Sequence, residues 1–405
     1  MLLSLPATLG KDQLHIIAIG QVLPRQSPIP LWLDADPLTD YLLIPTDADS
    51  GGFTSRESNR YVRIYFPRNR EALVEGFDFF VFPDGNLDPF TPSQLGDMRY
   101  AIENGLGSFV TTGGDLSSSS GSAYSGWVNS VLNEIMPVEL NTRMQQDRSV
   151  FSIRVVKEEP PVLSMFVPLG IERARGAYAF TYLTTKIGAT VWSRLRVVNL
   201  PQMGGTSLGI GSESDWLVSW RVGTTGGIFW VVADDLDSYW WSPIFWPGVF
   251  ENDYADDLFI NILLHSVGAP LPRDVSQLHD LRNLYSSYNV ERSLMISLLD
   301  FADSFGAITR DVYLQMEEVD GLRIESFDKY REYSFAEASE IMELAMSRFA
   351  ALREDAMDLK DGALLWIYLT QWVAVTGTSL TTGVVIWTLM VRKRLYREVG
   401  TTRLG

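Results

Sequence analysis

The chain of 405 residues is long enough for two or three structural units, and with 46% hydrophobic, 12% aromatic and 20% charged residues it is too apolar to be disordered over most of its length. Its 33 Lys+Arg against 50 Asp+Glu leave a formal charge of −17, which repels phosphate backbones and excludes a nucleic-acid partner. Cysteine is absent, which removes disulfides, thiolate metal sites and cysteine nucleophiles; three histidines, His15, His265 and His279, argue against a multi-histidine metal centre, and the sequence calls for no metal and no cofactor.

Residues 1–11 read as the remnant of a signal peptide, apolar with small residues near a cleavage point but without a basic leader. Residues 12–268 then alternate strands and helices. Gln13–Ile19, Tyr41–Pro45, Phe77–Phe82 and Gly107–Thr112 are apolar runs closed by Gly, Pro or Asp, the pattern of strands buried on both faces. Between the last two, Thr91 is placed to cap a helix whose stripe is Leu95, Met98, Tyr100 and Ile102 and whose C′ position is Gly105. Strand, helix, strand in that order predicts a parallel crossover and an α/β layered domain. A helix is expected at Trp127–Ile135. From 150 to 233 the chain turns strand-rich (SVFSIRVV, ATVWSRLRVV, DWLVSWRVG, GGIFWVVA), with a hairpin at VGTTGG, and an amphipathic helix carrying Leu258, Phe259, Ile262 and Leu263 closes the domain.

Two loops carry candidate binding residues. Gly113, Gly114, Asp115 and Ser117 to Ser120 follow a predicted inner strand, where open α/β sheets bind ligands; glycines allow close backbone approach and serines offer hydroxyls to a sugar or anion. A flexible surface loop has the same composition. In the second loop Asp234, Asp235 and Asp237 stand beside Trp240, Trp241 and Trp246, a mixture suited to stacking on carbohydrate or, equally, to packing under a neighbouring domain or partner. Asp34, Asp36 and Asp40, and Asp47 and Asp49, can offer oxygens to calcium, but neither set has EF-hand spacing, and solvated acidic loops account for both.

The stretch FDFFVFPDGNLDPFTPSQLGDMRYAIENGLGSFVTTGGDLSSSSGSAYSGWVNSVLNEIMPVEL resembles the class I glutamine-amidotransferase-like fold in its membrane-associated branch, where strand, helix, GG-x-x-S-x-G, G-W/Y, helix and L-P-V recur. GGIFWVVADDLDSYWWSPIFWPG and the following helix are similar to that family's closing strand, tryptophan-rich loop and final helix. The resemblance spans about residues 12–268 and extends to noncatalytic, single-span subunits of membrane complexes such as oligosaccharyl transferase. It implies a flavodoxin-like sheet with loops at its carboxyl edge. It does not imply glutaminase chemistry, because catalytic members use a cysteine and this chain has none. Ser117 to Ser120 would need a base, and His265, within ILLHSVG, reads as a structural histidine. No catalytic residue is assigned.

Residues 269–361 read as a helical stalk. Leu278, Leu281, Leu284, Tyr285 and Tyr288 form one stripe, and Leu294, Ile296, Leu298, Leu299, Phe301 and Phe305 continue it to Gly306. A capping box at Ser334 to Glu337 opens a further helix through Ile341, Leu344, Ala345, Phe349 and Leu352, with Gly362 as its one hinge candidate; these stripes pack within the chain or on other subunits. From Gly362 to Val391 no Asp, Glu, Lys or Arg occurs, a run of roughly 45 Å as helix, which predicts a transmembrane span. Trp366, Tyr368 and Trp372 at one end and Trp387 and Tyr396 at the other are placed as interfacial anchors. Residues 392–405 hold five basic side chains, Arg392, Lys393 and Arg394 among them, against one glutamate, which predicts a cytoplasmic tail and leaves −21 on residues 1–361 outside the cell.

The sequence therefore predicts an α/β, flavodoxin-like domain with an added β-rich segment, a stalk and one C-terminal transmembrane helix. Its expected role is a noncatalytic, membrane-anchored extracytoplasmic scaffold or binding subunit of a cell-envelope or membrane-protein complex. Its partners would be the lipid bilayer and other subunits, met through stalk and span. The alternative is an extracytoplasmic carbohydrate-binding receptor or sugar-acting enzyme.

Overall fold

The computed structural model describes residues 13–23, 27–46, 54–117, 122–140, 149–176, 180–200, 209–236, 240–241 and 252–401. The signal-like residues 1–11, Asp47, Asp49, Ser118 to Ser120, Asp237, Trp246 and the last four residues lie outside this set, as do the side chains of Asp115, Ser117 and Tyr396. The chain divides into two compact units, one formed by residues 1–283 with 329–336 and the other by 284–328 with 337–405.

The first unit is mixed α/β. In chain order it contains β1 (Leu14–Gly20), α1 (Ile29–Ala35), β2 (Thr39–Pro45), α2 (Ser55–Tyr65), α3 (Arg70–Gly76), β3 (Phe79–Phe82), α4 (Pro92–Glu103), β4 (Gly107–Thr111), α5 (Ser122–Val128), β5 (Val150–Val155), β6 (Thr190–Asn199), β7 (Glu213–Arg221), β8 (Ile228–Val232) and α6 (Ala255–Ser266). The eight strands form one sheet in the order β2-β1-β3-β4-β8-β7-β6-β5. Strands β2, β1, β3, β4 and β8 run parallel, and β7, β6 and β5 extend the sheet antiparallel from β8. Buried strands explain the near-continuous apolar runs: every residue of β3, β4 and β8 is buried, and each Phe, Val or Ile so placed contributes about 1.5–3 kcal/mol relative to exposure.

Local chemistry sets the boundaries. Thr91 caps α4 in a reciprocal capping box with Gln94, and Gly105, at φ +119°, turns the chain into β4. The helix expected at Trp127–Ile135 falls instead at Ser122–Val128, followed by a 3-10 turn at Asn133–Ile135. The reason is local: the Ser130 hydroxyl accepts from the Leu132 amide at 3.0 Å and the Asn133 side chain donates to the Val128 carbonyl, satisfying backbone groups outside a helical ladder. Helix α6 is also not amphipathic. Ten of its residues are buried, so it is an interior helix, with Phe259 against Trp32 and Phe109.

The second unit is helical, built from the parts of α7 (Val275–Ser304), α8 (Arg310–Arg331) and α9 (Phe335–Thr401) that fall within it. Helices α7 and α8 are antiparallel: Tyr285 meets Ser326, Arg292 grips Asp320 through two parallel hydrogen bonds of 2.8 Å, and Tyr313 reaches Asp300. Helix α9 runs with α7, bringing Phe349 onto Tyr288 at 5.3 Å and Arg353 towards Glu291. The buried seam of α9 is Ala338, Met342, Ala345, Phe349, Leu352 and Ala356, alternating steps of four and three as in a coiled coil. Leu344, expected in the stripe, is exposed. Of the α7 stripe in this unit, Tyr285, Tyr288 and Leu299 are buried, whereas Leu294, Phe301 and Phe305 are exposed, and Gly362 lies inside one continuous 67-residue helix. Beyond Ala363 that helix is bare: Trp366, Tyr368, Trp372 and Trp387 are all exposed, and the segment is long and apolar enough to cross a membrane.

Candidate functional site

Parallel strands direct their carboxyl ends to one edge, and here β1, β3, β4 and β8 each release a glycine or aspartate there. Gly20 closes β1 at φ +133°, where a Cβ would lie 2.2 Å from the Pro83 carbonyl oxygen, so only glycine lets β1 and the turn after β3 approach this closely. In that turn Asp84 adopts a left-handed φ of +47° and its amide donates to the Thr111 hydroxyl at 2.8 Å. The Gly85 carbonyl accepts from the Trp127 indole at 2.7 Å, and Trp127 stands edge-on to Phe82, so the turn is held from both sides. After β4 the Gly113 amide donates to the Asp234 carbonyl at 3.3 Å, continuing the β4–β8 ladder past the strands. Gly114, at φ +61°, brings its backbone between two carboxylates: a Cβ there would lie 2.6 Å from Asp235 Oδ2 and 2.8 Å from Asp84 Oδ2.

The two loops singled out in the sequence are therefore one place. Gly113 and Gly114 adjoin Asp234 and Asp235, and all four aspartate and glycine positions belong to a single edge with Asp84, a residue outside both loops. Its signal was the Pro-Asp-Gly turn directly after β3. Asp84, Asp234 and Asp235 are buried. Thr112 and Thr181 hydroxyls, 2.6 Å apart and bonded to the Val232 and Ala233 carbonyls, fasten the edge from beneath. Such a site can hold hydrogen-bond donors or a cation against its carboxylates.

Trp240 and Trp241 correct the stacking expectation. Both are fully buried, packed on Trp216 at 4.6 and 5.4 Å, with Trp241 also touching Trp32 and Phe109. Rings enclosed in this way stabilise the core and offer no face to a sugar. His265 sits edge-on to Trp192 and Trp230 on α6; burial, then the charges of Arg221 and Lys157, lower its pKa and keep it a neutral packing residue.

A second cluster lies elsewhere in the same unit. Asp36, in the turn after α1, accepts from Arg282 Nε at 2.8 Å and from the Tyr330 hydroxyl at 2.8 Å, and its carboxylate pairs with Arg282 Nη2 at 2.6 Å. Arg282 Nη1 reaches Asp257, whose other oxygen meets His279 Nδ1 at 2.7 Å. Burial works against the charge on Arg282, but Tyr330, Asp36, Asp257 and Asp256 outweigh it and raise its pKa well above the ordinary value. The hydrogen bond to Asp257 raises the pKa of His279, while burial, then Asp257, pushes Asp256 up to about 6. Asp256, Asp257 and His279 place ligand-type atoms within 4.8 Å of one another. Both Asp257 oxygens are already engaged by cationic groups, so the arrangement is a buried ion network rather than a metal centre. It also bears on the acidic run between α1 and β2: Asp36 turns inward to Arg282 and Asp40 pairs with His15, so both carboxylates already have cationic or hydrogen-bonding partners.

No family model matches the chain, and no curated protein matches it. A solved structure titled "mmIFT52 N-terminal domain" aligns over 61% of this chain and 96% of that one, with 11% identity and a TM-score of 0.38.

Proposed function

We propose that this protein is a noncatalytic, membrane-tethered scaffold or binding subunit, with its α/β unit outside the cell and its basic end, Arg392, Lys393 and Arg394, in the cytoplasm. The observation that carries the reading is the apolar part of α9, exposed at nearly every position from Leu365 to Val391. Some thirty uncharged residues with four exposed aromatic rings are not compatible with water and fit a bilayer with interfacial anchors. The order β2-β1-β3-β4-β8 supports a flavodoxin-like, amidotransferase-like sheet, with β5 to β7 as the added segment. The glycine turn wedged between Asp84 and Asp235, in a chain without cysteine, supports contact rather than amide cleavage.

Native mass spectrometry of gently extracted membranes tests this. The proposal expects a discrete species heavier than one chain, unchanged in the Asp235→Asn variant. A lone chain that hydrolyses glutamine or a glycoside, and stops doing so as Asp235→Asn, would replace it with the enzyme reading.

A further inference from the structure

We infer that the cleft between α2 and α4 is a binding site for a soluble oligoanion carrying two or three linked phosphate or carboxylate groups. This goes beyond the proposed tether and does not depend on it. The chain is strongly acidic, yet residues 54–70 hold five arginines against one glutamate. Three of them, Arg56, Arg60 and Arg63, recur at i, i+4 and i+7, which places them on one face of α2. That face lines a cavity of about 1120 Å³ closed on the far side by Thr91 and Gln94 of α4.

Pairing separates these three from the neighbouring arginines that carry an acid partner. Arg70 meets Asp97, Arg99 meets Glu103 and Glu134, and Arg194 meets Asp215. Arg56, Arg60 and Arg63 have no ion pair or hydrogen bond among the described residues. Glu57, the one acid in the lining, is turned aside: the backbone and hydroxyl of Thr54 hold its carboxylate at 2.8 and 2.9 Å and lower its pKa. The capping boxes of the two helices engage the amides of Thr54 and Glu57 and of Thr91 and Gln94, leaving the guanidiniums as the charged groups of the cleft. Guanidinium forks match phosphate and carboxylate in paired geometry. A row of seven residues spans about 10 Å, longer than one phosphate and suited to a short chain of them.

Calorimetric titration of sodium tripolyphosphate into the detergent-solubilised full chain at low salt is the test. Tripolyphosphate should bind roughly tenfold or more tightly than orthophosphate, weaken by about tenfold in Arg60→Gln, and weaken by no more than about twofold in Arg68→Gln, an exposed arginine outside the cleft. Glutamine keeps the helix, and an Arg56→Gln/Arg63→Gln double variant should reproduce the loss. Equal affinity for the two phosphates, an Arg68→Gln effect as large as that of Arg60→Gln, or binding only to anionic vesicles would each overturn the assignment.

Discussion

Replacing Arg282 by methionine keeps the length of the side chain but strands two carboxylates. In the native structure Asp36 receives Nε at 2.8 Å and Nη2 at 2.6 Å from this one guanidinium, and Asp257 receives Nη1. All three side chains are almost wholly inaccessible, so no water replaces what is lost. Removing one partner of such a buried set typically destabilises by about 3–5 kcal/mol, since the remaining charges stay desolvated. With a urea slope of about 3 kcal/mol per molar, the midpoint should fall by roughly 1–2 M. The assay is equilibrium urea unfolding in detergent followed by tryptophan fluorescence, which reports this unit through Trp127, Trp216, Trp230, Trp240 and Trp241. Adding Asp36→Asn and Asp257→Asn to Arg282→Met should recover most of the stability, because neutral amides are cheaper to bury, and lowering the pH should rescue the single variant by protonating the stranded carboxyls. A single variant within about 1 kcal/mol of the parent, or one that acid fails to rescue, would refute the argument.

The same network sets a pH dependence. Asp256 has its pKa raised from 3.8 to about 6, so the folded state holds that proton more tightly than the unfolded state, and stability falls as pH rises between those values. His279, also raised, contributes fully below its ordinary 6.5 and loses its contribution as pH climbs through the folded value, so urea midpoints should be higher at pH 5 than at pH 8 and His279→Gln should flatten the upper part of the difference. Gly114→Ala adds a left-handed backbone penalty and a carboxylate clash, and should destabilise by roughly 2 kcal/mol or more, whereas Gly105→Ala, with open space around its Cβ, should lose only about 1 kcal/mol; comparable thermal midpoints for the two would contradict the packing at the carboxyl edge. Trp241→Ala should lose about 3–5 kcal/mol through the cavity it leaves, with no change on a glycan array; lost glycan binding in a variant of unchanged stability would restore the sugar reading.

What the sequence disclosed follows the reach of each signal. Strands β1, β3, β4 and β8 and the cap at Thr91 were legible because apolar runs and capping boxes are local. Helices α1 to α3 were not, being short; α2 buries only Ser58 and Val62 and leaves no stripe to read. The seam of α9 is legible only in Ala345, Phe349 and Leu352, because alanines such as Ala338 and Ala356 pack closely without standing out as hydrophobic. In the candidate site the glycines and aspartates were named as two loops. Their union depends on β8 pairing with β4, and β5 to β7 intervene in the sequence between them. The ion network was beyond reach altogether: Asp36 and Arg282 lie 246 positions apart, and nothing near either residue announces the other.

The proposed tether rests on residues 362–391 lying in lipid, and the absence of native cysteine allows this to be measured without background. Ser347→Cys and Thr401→Cys variants would be exposed in intact cells to a membrane-impermeant maleimide, with parallel extraction of the membranes by alkaline carbonate. The account predicts that the chain stays in the carbonate pellet, that the Ser347→Cys variant labels from outside, and that the Thr401→Cys variant labels only after permeabilisation. Recovery in the carbonate supernatant, or equal labelling of both variants in sealed cells, would contradict it.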